Sequence, residues 1–572
     1  MSIKKDVDIT KLDEILEEAE KVAIENGRLI GRVSRVSKVS IGEEEGLRID
    51  VPFINYIQNP PRKGSFVCIA APATRSIIFS RVVDVERIDL LGIAKIPSIS
   101  IEKDPRSLTT PASLIVEPLT ERSFDGGEIL PHTSPIDPQS PVFIPKDEIV
   151  IEMLGLKRNG IKIGYLFEAG KPRESVPIRL DEEILRHHVL VIGTTGSGKT
   201  TLLSKIFLES SRAIAFDIQG DYLRAALKHK AKDTILIMPL TRGIIEELCP
   251  SSLWCQNYDK FYTEKIPQIL AVRRDLKDLH VIGLDENLGG IKIEIMGSEL
   301  TLIPMALEFS RVYEEIPKII PLLSIQASLF FPRIIGECLS SDIKSFSEDF
   351  QELLECAQDK SSNMRLHRGT VDNIMRVLRI LYDTGLIDVK KPFLNKPIPE
   401  PNYETIFSNI SKIIIDLGIV QDYSSRLGPA IITYRILSKI FEYSDKLYKR
   451  GDHSLQNNPI ILILDEAHEF FPRSSREDFE KEIIEEMINR IMRLGRVRGL
   501  SCVMATHRPQ DLNDLVIELA NTKIAFRSDR ETLKRIDMEE YSEMLENAPP
   551  GLGVIKTFAY KVLDLEFRTE PI

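Results

Sequence analysis

A chain of 572 residues is too long for one hydrophobic core, so two or three domains, or one domain with a large insertion, are expected. Hydrophobic residues make up 43% and charged residues 28%, which excludes extensive disorder. The formal charge of -11 excludes attraction of the whole molecule to a polyanion, and any nucleic-acid contact must come from a local basic surface.

The six cysteines (Cys68, Cys249, Cys255, Cys338, Cys356, Cys502) are scattered without CxxC spacing, which predicts reduced, mostly buried thiols and no cysteine-held metal. Met1 to Glu25 is charged throughout and lacks the apolar core of a signal peptide. No uninterrupted apolar run is long enough to span a bilayer, so a soluble, cytoplasmic protein with no membrane partner is expected.

Along the chain, residues 7–25 carry Ile9, Leu12, Ile15, Leu16, Ala19 and Val22 at helical spacing. From Gly27 to about Pro145 the pattern becomes short β-type runs, such as Arg28 to Val33 and Ser65 to Ala70, separated by Gly, Pro and Asn clusters. That spacing predicts a small β-barrel. Beyond residue 150, buried strands alternate with helices until a mostly helical stretch interrupts them. Within it, Asp342 to Cys356 and Thr370 to Tyr382 have helical periodicity, and Pro-rich Lys391 to Pro401 reads as a linker. One hairpin is predicted there, because Ile291 to Ile295 alternates, Gly297-Ser298 can turn, and Leu300-Thr301-Leu302 alternates again.

The chemistry concentrates at three strand ends. The apolar run Val189-Leu190-Val191-Ile192 leads into GxxxxGKT, formed by Gly193, Thr194, Thr195, Gly196, Ser197, Gly198, Lys199 and Thr200, with Thr201 and an apolar helical pattern following. This is a P-loop in its required context. Its backbone N–H groups and the helix N-terminus cradle the phosphates of ATP, Lys199 reaches the β and γ phosphates, and Thr200 offers its hydroxyl to magnesium. Much later, Ile460 to Leu464 ends in Asp465-Glu466. Asp465 is assigned to the metal, and Glu466 to polarising the attacking water. A third run, Ala213 to Phe216, ends at Asp217, at the strand end where α/β sheets place their ligands; a turn-forming or helix-capping Asp is the alternative.

These residues resemble the HerA family of the HerA/FtsK hexameric DNA translocases. The matching stretches are Ile163-Gly164-Tyr165-Leu166, Thr195 to Thr200, Phe216-Asp217 with Gly220-Asp221-Tyr222, Asp465 to His468, Gly495-Arg496 and Arg508-Pro509. The expected fold is α/β: a RecA-like P-loop ATPase core with an N-terminal β-barrel, similar to the family's HAS barrel, and a mostly helical insertion. The expected divisions are a helical extension at 1–26, the barrel at 27–150, the core at 151–235 and 401–540, the insertion at 236–400, and a strand-rich tail at 541–572.

The resemblance implies an ATP- and Mg2+-dependent homohexamer that encloses double-stranded DNA and moves along it, working with a NurA-like nuclease in DNA end processing. It also implies that Asp217 and Glu466 are functional acids, and that Arg496 acts on nucleotide across a subunit boundary. An apolar stripe of Ile484, Met487, Ile488 and Ile491 leaves Arg490 and Arg493 toward another face, and Arg496 and Arg498 follow beside Gly495 and Gly499, where the helix is expected to end. Arg473 resembles a basic family position. Three departures stand out: His507 replaces the usual Gln before Arg-Pro, His187-His188 with Arg186 replaces the usual Arg-His before the P-loop strand, and the insertion is longer than usual. A viral or plasmid DNA-packaging ATPase and a nucleotide-regulated scaffold are the competing readings.

Overall fold

The computed structural model describes residues 9–35, 46–87, 109–249, 258–320, 323–340, 343, 345–389, 398–409, 411–424, 427–469 and 479–570. Chain contacts divide the molecule into one unit of residues up to Asp181 together with 551–570, and a second unit from Glu182 to Pro550. The expected divisions at 150 and 541 differ from these, because a strand within residues 151–181 pairs with one within 551–570.

The first unit opens with the helix Ile9–Asn26, followed by strands β1 Gly27–Val33, β2 Leu47–Val51, β3 Phe66–Ala71, β4 Ser76–Arg87, β5 Ala112–Ser123, β6 Leu130–Pro131 and β7 Pro141–Pro145. The strand order is β2-β1-β7-β3-β4-β5-β6, and an antiparallel β2–β5 pairing closes it into a barrel with β6 appended at the edge. Closure removes the open edges that would otherwise seek a partner strand. Alternate residues such as Ile49, Val51, Val67, Ile69, Leu114 and Val116 fill the interior. On the N-terminal helix, small Ala19 and Ala23 are fully buried, whereas Ile15 and Leu16 are each 37% exposed. The side that packs is thus chosen by close approach more than by apolar bulk.

The same unit carries the hairpin β8 Ile161–Glu168 and β9 Lys171–Leu180. Near the C-terminus, β20 Leu552–Thr557 and β21 Asp564–Arg568 form a second hairpin, and β21 pairs with β8, giving the order β20-β21-β8-β9. This pairing explains why residues 151–181 join the tail and not the ATPase core.

The second unit holds β10 Val189–Ile192, β11 Ala213–Asp217, β12 Thr234–Pro239, β13 Leu279–Asp285, β14 Gly290–Ile295, β15 Ser298–Met305, β16 Lys412–Asp416, β17 Ile460–Leu464, β18 Leu500–Thr506 and β19 Thr522–Ala525. Their order is β13-β14-β15-β12-β16-β11-β17-β18-β10-β19, parallel from β15 to β19. This is a RecA-like core. Strands β10, β11, β12, β16, β17 and β18 are buried almost without a break, as a parallel sheet covered on both faces requires.

The insertion is mostly helical, as expected, and it also adds three strands. Strands β13 to β15 extend the core sheet, and β15 pairs in parallel with β12. The predicted hairpin is β14–β15, with its turn at Met296-Gly297, one residue earlier than expected; both turn residues have positive φ, 51° and 75°, as a tight two-residue hairpin demands. The helices Ile325–Leu339, Phe350–Asn363 and Arg368–Thr384 then pack on one another. Residues 391–397 of the predicted linker lie outside the described residues.

The expectation of reduced cysteines is corrected. Cys338 and Cys356 form a disulfide joining the first two of those helices, with Cα atoms 5.9 Å apart, and Cys249 is also disulfide-bonded. Helix packing, not sequence spacing, brings the pair together. Cys68 and Cys502 are free and buried, as expected. Among the described residues, no helix is long and apolar enough to cross a membrane.

His188, one of the departures before the P-loop strand, is a core residue. Its Nδ1 accepts the Cys502 backbone N–H at 3.0 Å, and its Nε2 faces the Met492 carbonyl at 3.0 Å, so the partners select the neutral tautomer with the proton on Nε2. Burial pushes His188 down to about 4, against the upward pull of the Met492 carbonyl. Because the folded value lies below the unfolded one, the unfolded chain binds the proton more readily. Stability contributed here is complete above about pH 6.5 and is lost as pH falls toward 4, by roughly 3 kcal/mol in the limit. The denaturation midpoint of a His188→Gln protein is expected to be lower than wild type at neutral pH and to fall less between about pH 6.5 and 4.5. Equal pH slopes for the two proteins would exclude this account.

Candidate active site

The sheet order decides which strand ends meet. Strand β10 enters the P-loop, β17 ends at Leu464 just before Asp465-Glu466, and β18 lies between them, pairing with both. Gly196 and Gly198 adopt φ of 75° and 115°, conformations that side chains rarely take, so the loop can turn back over the start of the helix Lys199–Glu209. A Cβ on Gly193 would meet Ser197 Oγ at 2.5 Å and Phe526 Cβ at 3.0 Å. The loop is tied to its neighbours by Gly193 N–H to the Thr506 carbonyl at 3.3 Å and Thr194 N–H to the Arg527 carbonyl at 2.8 Å.

Within the loop, Thr194, Thr195, Gly196 and Thr201 are exposed, whereas Ser197 and Lys199 are buried. Lys199 Nζ donates to the Thr194 carbonyl at 3.2 Å. Burial lowers its pKa, and the carboxylates of Glu466 and Asp465 oppose that shift. Ser197 Oγ is buried and has no hydrogen-bond partner among the described residues. An orphaned hydroxyl in a Gly-rich loop at a helix N-terminus fits a phosphate.

The second acid comes to the first motif from 265 residues away. Thr200 Oγ1 donates to Asp465 Oδ2 at 2.9 Å, and the Tyr222 hydroxyl reaches the same oxygen at 3.4 Å. Burial, aided by the Glu466 charge, raises the pKa of Asp465, while the Thr200 hydroxyl and Lys199 hold it down. A hydroxyl beside a carboxylate penalised for its charge is a donor set of hard oxygens that suits magnesium. Glu466 sits at φ 52°, and its Oε2 lies 2.7 Å from His507 Nδ1.

Asp217 takes the helix-capping arrangement that the sequence left open beside a functional acid. It is 2% exposed, and its two oxygens accept the N–H groups of Gly220 at 2.7 Å, Asp221 at 3.1 Å and Leu223 at 3.1 Å. The carboxylate is thus used to cap the helix Asp221–Lys228. Burial pushes it up to about 6, since neighbouring Asp416 adds to the cost of its charge and the N–H donors and Arg274 only partly offset it. Asp416, opposite it on β16, caps the next helix through Ile419 N–H and pairs with Arg274.

The arginines of the helix Phe479–Arg498 separate by environment. Arg490 lies 4.3 Å over the Phe441 ring, and Arg498 pairs with Asp445 at 2.7 Å while covering Phe441 and Tyr448. Arg493 and Arg496 are exposed, alongside exposed Leu494 and Val497. The helix runs through Gly495 and ends before Gly499, whose φ is 73°. Arg473 lies outside the described residues. Arg186 is half-buried, and its guanidinium lies 3.7 Å from Glu182.

Sequence reasoning quoted Tyr222 only as part of the Gly220-Asp221-Tyr222 stretch, with no role, and missed its contact with Asp465. It also missed the Arg274–Asp416 pair and Arg527, whose Nε donates to Thr194 Oγ1 at 3.2 Å; no local pattern marks either.

The family model described as "Helicase HerA, central domain" matches residues 161–516, more than half of the chain. The DNA double-strand break repair helicase HerA of Pyrococcus furiosus is 22% identical over 452 residues, covering 75% of this chain and 71% of the relative. A probable helicase of the same name from Methanocaldococcus jannaschii is 23% identical over 493 residues, 82% of this chain and 84% of the relative. Among solved structures, the bacterial conjugative coupling protein TrwB aligns with a TM-score of 0.43 and 11% identity over 75% of this chain and 92% of that one. With the P-loop and acidic strand end joined in one site and the family model spanning the core, the chain is a P-loop ATPase belonging to the HerA helicase central-domain family.

Proposed function

We propose that this ATPase is a translocase or helicase acting on double-stranded DNA, assembled as a homohexameric ring and working in DNA end processing with a NurA-like nuclease. The observation that carries the catalytic part is the contact of Thr200 with Asp465, which joins two motifs from opposite ends of the core into one site. The DNA part is supported by membership of the HerA family and by relatives named as double-strand break repair helicases.

In this reading the loop Gly193 to Thr201 binds the phosphates of ATP, and Lys199 neutralises charge that develops on them. Thr200 and Asp465 would hold magnesium, which supplies Lewis-acid polarisation of the phosphates when bound. Glu466 accepts the proton of the attacking water. Arg496 reaches a neighbouring subunit's nucleotide, a role its exposure allows. Asp217 serves by holding the Asp221–Lys228 helix, and with it Tyr222, against Asp465.

The test is the ATPase rate with and without linear duplex DNA, measured beside the mass of the particle. A motor is expected to hydrolyse ATP severalfold faster with DNA, and only in a multimeric ring. An assembled ring whose rate ignores DNA would sink the translocase reading and favour a nucleotide-regulated scaffold.

A further inference from the structure

Strand β18 separates the P-loop strand β10 from the acid-bearing strand β17, and its end is in register with both: Thr506 pairs with Ile192, and Met504 pairs with Leu464. The first residue beyond β18 therefore emerges between the phosphate loop and Glu466. That residue is His507. Its Nδ1 lies 2.7 Å from Glu466 Oε2, the shortest polar contact that this carboxylate makes among the described residues.

Several contacts keep this pair in place. The His507 and His468 rings pack in a T-shape, with centroids 4.8 Å apart and planes at 88°. His468 is buried, and its Nδ1 lies 3.2 Å from Thr506 Oγ1, on the strand that delivers His507. The same Nδ1 is 3.5 Å from Glu466 Oε2. On the other side, Glu466 adopts a left-handed backbone, unfavourable for a side-chain-bearing residue by about 1–2 kcal/mol, that surrounding contacts must hold. Its N–H donates to Asp465 Oδ1 at 3.0 Å, and its carbonyl accepts the Glu469 N–H at 2.8 Å. The backbone of Glu466 is anchored to the proposed metal-binding acid, and its carboxylate is anchored to His507.

Resting on the proposed role of Glu466 as the base, we propose that His507 is the positioning residue for that carboxylate. Its Nδ1–H donates to Oε2 and fixes the plane of the group, leaving Oε1 as the oxygen that takes the proton from water. His507 thus acts through Glu466 and not on the phosphate, which separates its function from nucleotide binding. A base oriented by a third group is a general device for activating a nucleophile, and removing such an orienting partner costs about 10- to 100-fold.

Four full-length proteins test the idea: His507→Ala, His507→Asn, Glu466→Gln and the double variant Glu466→Gln with His507→Ala. Asn is the conservative choice because its amide nitrogen can occupy the place of Nδ1. The Ala variant is expected to lose about 10- to 100-fold in kcat, with KM and nucleotide Kd within about twofold of wild type. Asn is expected to restore at least part of the lost rate. In single-turnover measurements the double variant is expected to be no slower than Glu466→Gln alone, because His507 has nothing left to position. A normal kcat in the Ala variant, a loss confined to KM, no recovery with Asn, or a multiplied loss in the double variant would each overturn the proposal. Near-normal turnover by Glu466→Gln alone would instead show that the underlying reading of the base is wrong. The two failures are therefore distinguishable.

Discussion

Glu466→Gln is expected to bind ATP with near-normal affinity and to hydrolyse it about 10²- to 10⁴-fold more slowly. The amide keeps the size and shape of the carboxylate but cannot accept the proton of water at neutral pH. Binding should survive because the loop's own N–H groups, Lys199, and the Thr200–Asp465 contact are formed without Glu466. Nucleotide affinity measured by equilibrium titration, together with a single-turnover rate, separates the two effects. Loss of ATP binding would mean that the division of labour between Asp465 and Glu466 is misassigned, and an unchanged rate would remove Glu466 from the mechanism.

Arg496→Ala is expected to fold normally, bind ATP and hydrolyse it about 10³-fold more slowly or worse. Folding should be spared because the side chain is exposed and makes no ion pair among the described residues, unlike Arg498, which pairs with Asp445 and packs over Phe441 and Tyr448. The same substitution at Arg498 should therefore cost stability before it costs catalysis. If Arg496 works across a subunit boundary, mixing the Arg496→Ala protein with Glu466→Gln should recover part of the activity. An interface can then pair an intact Glu466 with an intact Arg496 from the adjacent chain. Subunit exchange must be verified by native mass measurement. Mixed rings without recovered activity would exclude action in trans.

The contrast among these arginines shows what could be read before the fold was known. The apolar stripe through Met487 and Ile491 is a local pattern, and both residues are buried as the stripe implies. Which arginines are engaged depends on where the helix Leu427–Lys449 lies, because Phe441 on that helix lies under Arg490 and Arg498, and Asp445 and Tyr448 meet Arg498. Asp217 shows the same division. Its place at the end of a buried strand is visible in the sequence, whereas its use as a helix cap follows from the turn through Gly220, which folds three N–H groups onto it.

By itself the sequence determined the features whose cause is local: the P-loop, from a buried strand, positive-φ glycines and a following helix; the apolar strand ending in Asp465-Glu466; the β14–β15 hairpin; and the short alternating strands of the barrel. Each depends on residues within a few positions of one another, so periodicity and turn chemistry suffice to reveal it. Only the tertiary structure decided that β18 lies between β10 and β17, that His507 therefore meets Glu466, that His188 is a neutral core residue, and that Cys338 bonds to Cys356. Those contacts join segments distant in the chain, and their partners are chosen by strand order and helix packing, which minimise the free energy of the whole core and leave no mark at any single residue.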